Sequence, residues 1–156
     1  MAFTFTRKAA GEIKQRLEER IGPEAHKITC GTMHGLALEF ITMFGEKIGM
    51  KKNPTVYSEW EERFLLKEVA RDLGVFVKNW RIPKKKIDKV FAEYYQEGIP
   101  PEDTHPAHKL FHAFMQRCRE NNALTYGGLL VGLGMLIPEI GRYKHFKHII
   151  VDETQD

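Results

Sequence analysis

Cysteine is scarce. Cys30 and Cys118 are the two thiols in 156 residues, too few for a disulfide scaffold, and they read as free thiols in a reducing compartment. Long apolar runs are missing as well. The longest, over residues 129–137, is broken by Gly132 and Gly134 and stops at Pro138, well short of the about 20 residues that a membrane-spanning helix needs. The first residues do not make a secretory leader, because Arg7 and Lys8 follow the apolar positions instead of preceding them. Charge of one sign does not dominate either. With 24 Lys+Arg against 21 Asp+Glu the net charge is +3 with His neutral, which permits a polyanionic partner without arguing for one. Internal repeats and low-complexity tracts are absent, and 42% hydrophobic with 29% charged residues is ordinary for a globular chain. Disordered, collagen-like and membrane-spanning classes are excluded, and the expected location is cytoplasmic.

What is present is an α/β pattern at both ends. Residues 2–6 alternate as a strand, with Phe3 and Phe5 on one face and Thr4 and Thr6 on the other. Ala9, Ala10, Ile13 and Leu17 then recur at helical spacing until Gly22-Pro23. Residues 27–31 form a second candidate strand feeding a helix with the apolar face Met33, Leu36, Ala37, Phe40, Ile41 and Phe44, closed by Gly45. Residues 148–152 read as a buried parallel strand. Strands that feed helices directly predict an α/β parallel sheet.

The middle predicts helices alone. Ser58 and Glu61 make a capping box ahead of Phe64, Leu65, Val69 and Leu73. Pro83 suits the first turn of a helix carrying Ile87, Val90, Phe91, Tyr94 and Tyr95. A third helix starts near Pro106 and carries Leu110, Phe111, Phe114, Met115 and Cys118. Residues 124–137 predict a further helix returning to the α/β part. No strand is expected between 51 and 122, so the layout is an all-helical insert inside an α/β domain.

Three segments could carry chemistry. His148-Ile149-Ile150-Val151-Asp152-Glu153 is an apolar strand ending in two carboxylates, at the sheet edge where α/β proteins bind ligands. In nucleotide hydrolases the first acid of such a pair holds Mg²⁺ and the second orients water. The same pattern also fits a strand that ends in solvated acids. Thr4-Phe5-Thr6-Arg7-Lys8-Ala9-Ala10 sits at a strand-to-helix turn, where hydroxyls and free N–H groups suit a phosphate oxygen. Phe5 stacks on a base if it faces outward, although Phe3 and Phe5 taken alone fit core positions better. Gly31-Thr32-Met33-His34-Gly35 is a similar turn, in which Thr32 also fits an ordinary N-cap.

Order and spacing of these segments resemble the first RecA-like core of superfamily 1 DNA helicases, the UvrD/Rep/PcrA-like branch. Phe3-Thr4-Phe5-Thr6-Arg7-Lys8-Ala9-Ala10, continuing through Glu12 to Leu17, is similar to motif Ia. Gly31-Thr32-Met33-His34-Gly35 is similar to motif Ib, and Val151-Asp152-Glu153-Thr154-Gln155-Asp156 to motif II, a form of Walker B. The resemblance implies a partial RecA-like (P-loop NTPase) sheet with an all-helical inserted subdomain. Residues 1–46 and 123–156 would belong to the core and 47–122 to the insert.

It also implies roles. Asp152 would coordinate the Mg²⁺ of MgATP, Glu153 would act as base toward water, and Gln155 would couple the nucleotide site to neighbouring motifs. Thr4, Phe5, Thr6, Arg7, Thr32 and His34 would line a single-stranded DNA track, with the duplex junction and the remainder of a helicase chain as further partners. Met33 and Gly35 depart from the usual motif Ib, and Tyr126-Gly127-Gly128 stands where acidic residues are common, so no role is carried onto it.

One further absence bears on mechanism. The 156 residues contain no G-x-x-x-x-G-K-[ST] segment, so nothing in them cradles the β- and γ-phosphates of ATP. The expectation is a piece of an ATP-dependent helicase, inactive by itself and left with an open apolar sheet edge that favours association. The alternatives are a single-stranded DNA-binding module without turnover, a decayed remnant, and a stand-alone α/β domain using its acids for another metal reaction. Two remaining clusters read as solvated faces: His105/His108/His112, whose alternative is a metal site by its spacing on one helical face, and Lys84-Lys85-Lys86 with Lys89 and Arg81, whose alternative is contact with duplex phosphates.

Overall fold

The computed structural model describes residues 1–75, 84–102, 105–143 and 146–152. Arg81, Pro83, Glu153, Thr154, Gln155 and Asp156 lie outside the described residues.

Three strands form a parallel sheet in the order β2-β1-β5: β1 (Ala2–Thr4), β2 (Cys30–Thr32) and β5 (Ile150–Val151). Helix α1 (Arg7–Ile21) follows β1 and α2 (Met33–Phe44) follows β2. Both strands are shorter or later than their sequence suggests, for local reasons. Thr6 leaves the sheet because its side chain accepts the Ala9 N–H at 3.1 Å and caps α1. Residues Gly22–Lys27 form a 3₁₀ turn, so β2 begins only at Cys30.

Helices α3 (Glu59–Asp72), α4 (Lys84–Glu97) and α5 (Pro106–Glu120) fill the middle. The capping box is complete: Ser58 N–H donates to Glu61 Oε2 at 2.8 Å, and Glu61 N–H returns to Ser58 Oγ at 3.4 Å. Inside α3 the buried stripe is Leu65, Val69 and Ala70, whereas Phe64 and Leu73 are about half exposed. Leu65 and Val69 of the expected stripe are buried, and Ala70 rather than Phe64 or Leu73 completes it. Phe91 meets Phe111 and Phe114 edge-on, each at 5.2 Å between centroids, and these rings anchor the core of the three helices.

Two strands were not legible. β3 (Thr55–Val56) pairs in parallel with β4 (Ala123–Leu124), so the middle is not purely helical. Two-residue strands carry no alternation to detect. Helix α6 (Tyr126–Tyr143) also runs past its expected end, straight through Pro138. The carbonyl that Pro138 leaves without a donor belongs to Gly134, an exposed residue with no side chain to crowd the ring.

Helix α6 joins two cores. Its Val131 belongs to the same buried cluster as Leu65, Phe91, Leu110 and Phe114. Its Leu129, Leu136 and Ile140 pack with Leu36, Ala37, Phe40 and Ile41 of α2. Gly132 allows this closeness, since a Cβ there would lie 3.0 Å from Ile41 Cδ1. The last strand is the largest departure from expectation: Ile149 and Ile150 are 59% and 64% exposed. β5 is an edge strand bonded to β1 alone among the described residues, not a buried one. No described helix is long and apolar enough to cross a membrane.

Candidate functional site

Parallel register decides where the three chemistry-bearing segments meet. Thr4 is paired with Thr32, and Phe3 with Val151. Asp152 continues the ladder by donating its N–H to Phe3 O at 3.0 Å. The carboxyl ends of β1, β2 and β5 therefore lie side by side, and Thr4, Thr32 and Asp152 share one edge of the sheet.

Each residue has a distinct situation there. Thr4 is 1% exposed, so its hydroxyl belongs to the interior of the turn. Phe5 is 62% exposed because the chain has already left the sheet, which sets aside the core position it fits when taken alone and leaves its ring facing outward. Thr6 caps α1 and Arg7 opens it, both exposed. Thr32 caps α2 by accepting the Gly35 N–H at 3.1 Å. Two helix N-termini thus point their unpaired N–H groups toward the same edge, a favourable setting for anionic oxygen. Asp152 is an exposed carboxylate. Glu153 and Gln155 lie outside the described residues.

His34 is not a lone imidazole. Its ring stacks on Tyr126, with centroids 3.8 Å apart and planes 9° apart. Burial pushes the His34 pKa below its ordinary value, favouring the neutral ring. Tyr126 is 59% exposed, so its ring extends the aromatic surface of the edge. Sequence reasoning assigned Tyr126 nothing. The available signal was an aromatic residue next to two glycines, which permit close backbone approach.

The other clusters have structural explanations. His105 caps α5, its Nδ1 accepting the Ala107 N–H at 3.1 Å. His112 Nε2 donates to Pro101 O at 2.7 Å, and His108 Nδ1 bonds Glu102 O. These rings tie down a loop instead of facing solvent freely, and no metal-holding group of three ligands exists among the described residues. Lys84, Lys85 and Lys86 are exposed, with Lys86 Nζ 3.3 Å from His105 Nε2.

The family model described as UvrD/REP helicase N-terminal domain matches residues 1–156. The chain belongs to this family. It is 28% identical over 170 residues to the ATP-dependent DNA helicase PcrA of Staphylococcus epidermidis, covering 100% of this chain and 23% of that protein. It is also 28% identical over 174 residues to the ATP-dependent DNA helicase UvrD1 of Mycobacterium tuberculosis, covering 100% of this chain and 22% of the relative. The chain thus spans under a quarter of the length of these relatives. As a member of the UvrD/REP helicase N-terminal domain family, it is mixed α/β and mostly helical, with the β2-β1-β5 sheet that the motif order implied and the small β3-β4 pair that it did not.

Proposed function

We propose that the carboxyl edge of the β2-β1-β5 sheet is a single-stranded DNA track within an ATP-dependent DNA helicase. The carrying observation is the register that pairs Thr4 with Thr32 and sets Asp152 beside them. Phe5 and the Tyr126–His34 stack offer flat apolar faces to bases, while Thr6, Arg7, Thr32 and the two helix N-termini serve phosphates. Thr4, being buried, shapes the turn between β1 and α1 and acts on the strand through Phe5 and Thr6. The duplex junction falls beyond the track, toward the helices between residues 47 and 122, which act as an inserted subdomain.

The nucleotide lies on the Asp152 side. A carboxylate is a hard oxygen donor suited to Mg²⁺, which is commonly held by one or two carboxylates with phosphates and water completing its shell. Asp152, exposed at the strand end, fits as one such ligand. MgATP, when bound, supplies the phosphoryl group whose hydrolysis drives translocation. Asp152 would hold the metal, Glu153 would take the proton from the attacking water, and Gln155 would relay the state of that site. Because the 156 residues lack the G-x-x-x-x-G-K-[ST] segment, the chain alone binds single strands without turning over ATP.

An anisotropy titration with a labelled oligothymidylate tests this reading. The chain should bind with affinity that falls as salt rises, and Phe5→Ala and His34→Ala should each weaken binding roughly fivefold or more, as loss of a base stack does. No binding at low salt, or binding indifferent to both substitutions, contradicts the assignment.

A further inference from the structure

The strand edge is connected to the helical middle through a polar joint. Tyr95, on α4, places its hydroxyl 2.8 Å from Thr125 Oγ1. Thr125 is 2% exposed, and its Oγ1 accepts the Gly128 N–H at 2.9 Å, capping the first turn of α6. Thr125 Oγ1 keeps its own hydrogen and a second lone pair, so it can donate to or accept from the Tyr95 hydroxyl, and it donates when the Tyr95 hydrogen is engaged elsewhere. The Tyr95 hydroxyl donates to the Glu62 carboxylate on α3, which leaves the Thr125 hydrogen for Tyr95. Both Glu62 and Tyr95 have their pKa values raised by burial, as expected for groups enclosed between packed helices.

The Tyr95 ring also fits α6 without slack. A Cβ built on Gly127 would lie 2.7 Å from Tyr95 Cγ, and one on Gly128 would lie 2.9 Å from Thr125 Oγ1. Any side chain at 127 would push the ring off the turn. Between Thr125 and Gly127 sits Tyr126, the residue stacked on His34.

We propose that Tyr95 is a positioning residue which, through Thr125 and the glycine-lined first turn of α6, sets how Tyr126 stacks on His34 at the sheet edge. The helical middle thereby controls the aromatic surface that the edge presents. The consequence for single-strand binding rests on the function proposed above, whereas the positioning itself rests on this geometry. Tyr126-Gly127-Gly128 then has a reason to depart from acidic residues: Gly127 admits the Tyr95 ring, Gly128 admits the Thr125 hydroxyl, and the tyrosine uses the turn so formed.

The test is proton–carbon NMR of the His34 ring, assigned with His34→Gln, because a ring stacked on it shields its protons. Tyr126→Ala gives the unstacked reference. Gly127→Ala should move the His34 signals toward that reference, Tyr95→Phe should move them part-way, and Thr125→Ser, which keeps the hydroxyl, should leave them close to their original positions. Far-UV circular dichroism checks that each variant is folded. Folded Tyr95→Phe and Gly127→Ala with His34 signals unmoved would overturn the proposal. Oligothymidylate affinity is read on the same samples, and a moved His34 signal with unchanged affinity would overturn the link from stack to strand. If the unsubstituted chain binds no oligothymidylate, the DNA reading fails, while the His34 signals still decide the positioning.

Discussion

Thr4 and Thr32 are register partners on adjacent parallel strands, and both strands end there. Two helices consequently start at one level, α1 capped by Thr6 and α2 by Thr32. Thr6→Ala and Thr32→Ala should each lower stability by about 1 kcal/mol, the usual cost of losing a hydroxyl cap. Urea melts of the two variants check this. Thr32→Ala should weaken oligothymidylate binding as well, since fraying the first turn of α2 loosens the backbone before His34.

Burial of His34 makes stability depend on pH. Its folded pKa lies below 6.5, so between 6.5 and that value the unfolded chain holds the proton and the folded one does not. Stability present above 6.5 is lost as pH falls through this window. An NMR titration should place the His34 midpoint below 6.5, and His34→Gln should flatten that part of the stability profile. A midpoint at or above 6.5 contradicts the buried stack.

The thiols should be inert in the folded chain. Burial pushes Cys118 up to about 12. It also raises Cys30, against the pull of Lys14 and the terminal amine. Since the thiolate is the nucleophile, iodoacetamide at pH 8 should label neither quickly until urea is added, with Cys30 leading Cys118. Mass spectrometry of timed samples reads the order.

Ile149, Ile150 and Val151 leave apolar surface along an edge strand. Such edges pair with other strands unless charged. The 156-residue chain should therefore associate with rising concentration in sedimentation runs, and Ile150→Lys should reduce this. A cooperative, concentration-independent monomer would show that the edge is not adhesive.

Legibility in the sequence tracked the length of each pattern. The long helices were readable because Leu110, Phe111, Phe114 and Cys118 recur over several turns, and the Ser58–Glu61 box is a local signal complete in four residues. β3 and β4 were not, because Thr55–Val56 and Ala123–Leu124 exist only through each other. Phe5 looked like core because alternation continues through it, yet the Thr6 cap had already taken the chain out of the sheet. The motifs placed Thr32 and His34 on the candidate site, but Tyr126 reaches it from a helix nearly a hundred residues later, a proximity that only packing of α2 on α6 creates.

The most direct test is to map where a single strand touches the chain. Amide chemical shifts should be followed as an oligothymidylate of about ten nucleotides, within the usual span of single-strand sites, is added at low salt. Perturbations concentrated at Phe5, Thr6, Arg7, Thr32, His34 and Tyr126 are the predicted result. Perturbations confined to the lysines of α4, with the sheet edge silent, would contradict the account.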